Sequence, residues 1–122
     1  MKFAYSLLIA LVLVSCSNDD SDPGPACTLE FVLGLNVTVR DVVTTNPITE
    51  DVVVTATDGN YSEVLELIAG TEIFGGAGER AGNYTLTVTA PGFETFVSDP
   101  VRVTANECHV ITEQVDISLI RN

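Results

Sequence analysis

From Cys27 onward, apolar and polar residues alternate with a period of two. Cys27, Leu29, Phe31, Leu33, Leu35, Val37 and Val39 take the odd positions, and Thr28, Glu30, Asn36, Thr38 and Arg40 fill most even ones. Successive side chains of a strand point to opposite faces, so this pattern predicts a half-buried strand, bent or bulged at Gly34. Val52, Val54 and Ala56 alternate in the same way up to the turn Asp58-Gly59-Asn60, and Tyr61 to Ile68 reads as the return strand. A turn at Ala69-Gly70 and a weaker strand from Glu72 to Gly75 lead into Gly75-Gly76-Ala77-Gly78, which reads as a glycine-rich loop reaching Gly82. Tyr84 to Ala90 alternates strictly and stops at Pro91-Gly92. Short strands near Phe93 to Val97 and Val101 to Thr104 precede a last one, Cys108 to Leu119. Its apolar parity shifts between Val110 and Val115, predicting a bulge near Glu113-Gln114. About seven short strands and no helical period predict an all-β chain, an antiparallel Greek-key β-sandwich of immunoglobulin-like character. Gly82-x-Tyr84, ahead of a strong strand, fits a tyrosine corner or a plain buried tyrosine.

The front of the chain has a different pattern. Met1-Lys2 precedes an apolar run from Phe3 to Val14 broken only by Ser6. As a helix, twelve residues would span about 18 Å, short of the roughly 30 Å hydrocarbon core, so the run suits a signal peptide better than a membrane span. Leu13-Val14-Ser15-Cys16 resembles the bacterial lipobox, which implies lipidation of Cys16 and its exposure as the new N-terminus. The alternative is a plain secretory signal cut near Ala10 or Ser15, with Cys16 left as a thiol. Ser17 to Ala26 is acidic and Pro-containing with no apolar period, so it reads as a solvated tether. Acidic residues directly after such a cysteine also resemble the surface-export signal of Bacteroidetes lipoproteins. The expected organisation is therefore a signal peptide over 1–15, a lipidated Cys and flexible linker over 16–26, and a sandwich over 27–122.

Charge narrows the partners. Seventeen Asp and Glu stand against five Lys and Arg, a net charge of -12. Nucleic acid is excluded as a partner, because counterion release needs clustered cations and the four arginines are scattered. The lone His109 finds neither a second histidine nor a free cysteine pair for zinc, so no metal or other cofactor is expected. A Ser or Cys nucleophile would need His109 as its base, and nothing in strand order arranges one, so no catalytic residue is assigned. Glu63 and Glu66 fall on opposite strand faces and read as solvated surface. With Cys16 lipidated, two cysteines remain in an oxidising compartment, which predicts a Cys27–Cys108 disulfide. Both cysteines are expected at strand starts, facing inward.

Val37-Thr38-Val39-Arg40-Asp41, Pro47-Ile48, Val52-Val53-Val54 and the run from Gly82-Asn83-Tyr84 to Pro91-Gly92-Phe93 resemble the carboxypeptidase regulatory-like domain. That resemblance spans roughly Leu35 to Leu119 and implies a small transthyretin-like sandwich, a type found beside peptidases and in bacterial surface proteins. Glu79-Arg80-Ala81 and the glycine-rich stretch depart from the family's short turn.

Together these readings describe a non-enzymatic, lipid-anchored binding or structural module of the bacterial cell envelope, in the outer membrane and facing either the periplasm or the surface, for a protein or glycan partner. The alternative is an accessory or inhibitory domain that docks on a separate hydrolase or peptidase. Strand faces are committed to core or to a Thr-rich surface, so recognition is expected in loops. Gly76, Glu79 and Arg80 in the glycine-rich loop, with Phe93 beside its turn, are the candidate binding residues. Shortening residues 76–81 is expected to leave stability nearly unchanged, because loop length costs little.

Overall fold

The computed structural model describes residues 26–122; the expected signal peptide, Cys16 and most of the expected linker lie outside the described residues. Ten strands follow one another: β1 (Leu33–Asp41), β2 (Val53–Asp58), β3 (Tyr61–Val64), β4 (Glu66–Leu67), β5 (Phe74–Gly78), β6 (Gly82–Thr89), β7 (Phe96–Val97), β8 (Val101–Ala105), β9 (Val110–Ile111) and β10 (Glu113–Leu119). One sheet has the order β10-β1-β5-β4, and the other β3-β2-β6-β8-β9 with β7 added on β6. The two make an all-β sandwich without helix among the described residues. Leu35, Val37 and Val39 from β1 and Val54, Leu86 and Val88 from the facing sheet are wholly buried, as the period of two requires. Outward, β2 and β6 carry the cross-strand pairs Thr55↔Thr87 and Thr57↔Thr85.

The extra strands arise because two long apolar runs change sheets. The Tyr61 to Ile68 run leaves the second sheet at Leu65, which is buried and donates its N–H to Val54 O at 2.8 Å, and then enters the first sheet as β4. The last run does the same at Thr112: β9 pairs with β8, Thr112 Oγ1 donates to Leu33 O at 2.7 Å, and β10 then lies beside β1. The shifted parity therefore marks a crossing between sheets at Thr112, and the β1/β10 register runs unbroken from Leu35↔Glu113 to Asp41↔Leu119. That pairing is parallel, against the antiparallel expectation, because the crossing delivers the chain to the starting end of β1.

Three local expectations change. The alternation from Cys27 to Phe31 forms no strand; Leu29 and Phe31 are exposed, and β1 starts at Leu33. Across Gly34 the β1/β5 register is continuous, and the irregularity sits opposite it, at Ala77, whose φ is +55°. The glycine-rich stretch is not a loop. Gly75 to Ala77 are buried in β5, an inner strand between β1 and β4. Glycine is needed there because neighbouring side chains already fill the space over the strand. A Cβ on Gly76 would run into Leu65 and the Glu63 carboxylate, and one on Gly78 into the Phe31 ring.

The Cys27–Cys108 disulfide is present, with Cα atoms 5.2 Å apart. It staples the irregular segment before β1 to the bend between β8 and β9, at the Leu33 end of β1. Asp41 ends β1 eight residues further on, roughly 26 Å away at strand rise.

Candidate functional site

Polar side chains gather at both ends of the sandwich. At the disulfide end, Arg80 follows β5 and turns inward. Its Nη1 lies 3.0 Å from Asp58 Oδ2 and donates to the Tyr84 hydroxyl, also at 3.0 Å; that hydroxyl in turn donates to Arg80 O at 2.7 Å. Tyr84 is wholly buried, so Gly82-x-Tyr84 is a tyrosine corner. The Arg80 guanidinium stacks 3.8 Å from the Tyr61 ring centre. Bonding to Tyr84 and Asp58 raises its pKa above the usual arginine value. Gly82 permits this, since a Cβ there would strike Asp58. Glu63 is half-buried rather than solvated: Oε1 accepts the Tyr61 hydroxyl at 2.6 Å and the Ala77 N–H at 2.9 Å. The bond to Glu63, then burial, pushes the Tyr61 phenol up to about 12.

Glu79 serves the same end. Its carboxylate accepts the N–H of Val32 at 3.0 Å and of Val110 at 3.2 Å, and lies 2.6 Å from His109 Nδ1. Burial pushes this carboxyl up, but the Val32 N–H, the His109 ring and the Val110 N–H outweigh it, and the net shift is downward. His109 Nε2 is 2.9 Å from Thr28 Oγ1, which donates to Glu30 at 3.0 Å. Thr28, His109 and Glu79 thus stand in the order of nucleophile, base and orienting acid. Hydrolysis also calls for donors aimed at an oxyanion, from backbone N–H groups or side chains. Here the neighbouring N–H groups are engaged: Cys108 and His109 donate to Asn106 Oδ1, and Val32 and Val110 to Glu79. The group ties the incoming segment to the sandwich. Gly76, Glu79 and Arg80 therefore belong to strand, clasp and corner respectively.

Phe93 lies at the other end. Its backbone bridges to Arg121, and its half-buried ring is 5.2 Å from the guanidinium carbon. Arg121 Nε donates at 2.8 Å to Asp41 Oδ2, with Nη2 2.6 Å from the same oxygen. Asp41 is 2% exposed, and its Oδ1 accepts the N–H groups of Val43 at 2.8 Å and Thr44 at 3.3 Å. The Val43 N–H, with Thr44 and Arg121, holds the carboxyl below the usual range despite burial. Between this pair and the loop carrying Asn46 to Glu50 lies an open cleft of about 470 Å³. Thr45 and Asp51 bracket that loop segment with φ of +63° and +58°. A second hollow of about 580 Å³ runs between Ala81 to Asn83 and Arg102 to Ala105, but no described acidic side chain fixes Arg102 there.

No protein-family model matches this chain, and no curated protein matches it.

Asp41 and Arg121 were not among the sequence candidates. One signal was available: Asp41 continues the inward parity of Leu35, Val37 and Val39, and an acid on a core-facing position needs a partner. Nothing local to Arg121 marks it as that partner. The Thr28–His109 contact also had a signal, since each residue directly follows one cysteine of the disulfide.

Proposed function

We propose that this chain is a non-enzymatic, lipid-anchored binding module of the bacterial cell envelope, held by Cys16 and presenting the Asp41 end of its sandwich to a protein or glycan. One observation carries the reading. The tether joins at the disulfide end, while the cleft with the braced Arg121 lies at the opposite end of β1. A module of this shape holds its recognition surface away from the membrane. The lipobox-like residues Leu13 to Cys16 and the acidic linker support the anchor, and the resemblance to carboxypeptidase regulatory-like domains supports a non-catalytic role. Two or three acyl chains, at about 0.8 kcal/mol per buried CH₂, hold a protein firmly on a bilayer.

Fractionating cells that carry Cys16→Ser tests the anchor: the variant should leave the membrane fraction and lose fatty-acid label, and unchanged label would reject it. Crosslinking on intact cells, followed by capture, tests the role. A transporter, adhesin or glycan partner supports the module, whereas a soluble hydrolase supports an accessory or inhibitory domain.

A further inference from the structure

We propose that the cleft at the Asp41 end binds a carboxylate-bearing sugar, a terminal uronic acid on a glycan, with Arg121 gripping the carboxylate. This deepens the reading of the chain as a binding module and rests on it. A guanidinium has five N–H donors in a planar fork. Asp41 takes one edge, because both Nε and Nη2 point at Oδ2. The opposite edge, made by Nη1 and the second Nη2 hydrogen, meets no acceptor among the described residues, and the side chain is 62% exposed beside the cleft. That edge matches a carboxylate with two parallel bonds.

The arginine is held ready. Its partner carboxylate is itself fixed by two backbone N–H groups. Its backbone is bracketed by Glu94 N–H to Ile120 O at 2.8 Å and Asn122 N–H to Gly92 O at 3.0 Å. A donor already ordered loses less conformational entropy when a ligand arrives.

The rest of the lining selects what carries the carboxylate. Thr44, Asn46 and Thr49 offer hydroxyl and amide groups for ring hydroxyls, and Ile48 and Phe93 offer apolar surface for the C–H face of a sugar. A peptide would need open main-chain donors and acceptors. From Val43 to Ile48 the N–H groups of this loop are engaged: Val43 and Thr44 bond Asp41 Oδ1, Thr45 bonds Asp41 O, Asn46 bonds Thr44 Oγ1 and Ile48 bonds Val39 O. Glu50 on the rim and the net charge of -12 disfavour a polyanion, so a single terminal acid on an otherwise neutral sugar fits best.

The test uses the full chain, isotope-labelled, and follows the Arg121 Nε–H and Phe93 ring resonances by NMR. The probes are glucuronate, its methyl ester, glucose and N-acetylalanine. Glucuronate should shift both resonances, with the ester and glucose weaker by roughly tenfold or more, the size expected for a charge-assisted pair. Arg121→Lys, which keeps a cation for Asp41 but lacks the fork, should lose binding similarly while melting near the unaltered protein. Equal binding of glucuronate and its ester, or shifts confined to other residues, would overturn the site. N-acetylalanine binding as tightly as glucuronate would overturn the sugar assignment. A silent cleft in a protein that still captures its envelope partner rejects this inference alone; loss of capture as well rejects the binding module.

Discussion

Tyr84 and Tyr61 sit edge to face, 6.2 Å apart, yet their hydroxyls do different jobs. The buried Tyr84 hydroxyl both donates to and accepts from Arg80. Tyr84→Phe leaves Arg80 O without that donor and should cost about 1–2 kcal/mol, read from urea denaturation midpoints. The Tyr61 hydroxyl donates to a carboxylate, so ionising it would place two negative charges together. Its folded pKa, about 12, exceeds the ordinary 10.0, so its contribution to stability is fully present below pH 10 and lost as pH rises through 12. Ultraviolet titration should show the Tyr61 phenol ionising late, and Glu63→Gln should bring it back toward the ordinary value. Gly82-x-Tyr84 offered a tyrosine corner or a plain buried tyrosine, and the local bond from the Tyr84 hydroxyl to Arg80 O decides for the corner. Glu63 was misread as surface, because its partner Ala77 comes from another sheet.

Among the elements, β5 is the one whose composition most disguises it. Its glycines are set by what lies over them, Leu65 and Glu63 above Gly76 and Phe31 above Gly78. A window of sequence cannot show those neighbours. Gly76→Val should therefore destabilise by about 1–3 kcal/mol through overpacking. Replacing residues 76–81 with a two-residue turn should prevent folding outright, because it removes half of β5 and both the Glu79 and Arg80 contacts. Near-ultraviolet circular dichroism of the shortened chain checks this, and a native spectrum would contradict the placement of β5. The segment before β1 is the converse case. It alternates like a strand, yet it is held by the disulfide and by Glu79, His109 and Thr28. Closing a loop across 81 residues stabilises by roughly 4 kcal/mol on the chain-entropy view. Reduction should lower the unfolding free energy by about that amount and open residues 28–32 to protease, both measurable on one preparation with and without dithiothreitol.

At the scale of the whole molecule, Asp41 and Glu79 brace opposite ends, each below its ordinary pKa of 3.8 or 4.5. Such carboxylates contribute fully above their unfolded pKa values, and the contribution disappears as pH falls through the lowered folded ones. Urea midpoints should therefore hold down to about pH 5 and drop below it, with a shallower drop in Asp41→Asn, whose midpoint is already lower at pH 6. A midpoint independent of pH between 6 and 2 would contradict both braces. The sequence alone determined the all-β class, most inward-facing positions and the disulfide pair, and it raised the tyrosine corner beside a plain buried tyrosine. Each follows from a period of two, a cysteine count or a bond across a few residues. Only the tertiary structure decided that two apolar runs change sheets, that the glycine run is an inner strand, and that Arg121 meets Asp41. These depend on which surfaces face each other after the chain closes, over separations as long as the 80 residues between Asp41 and Arg121.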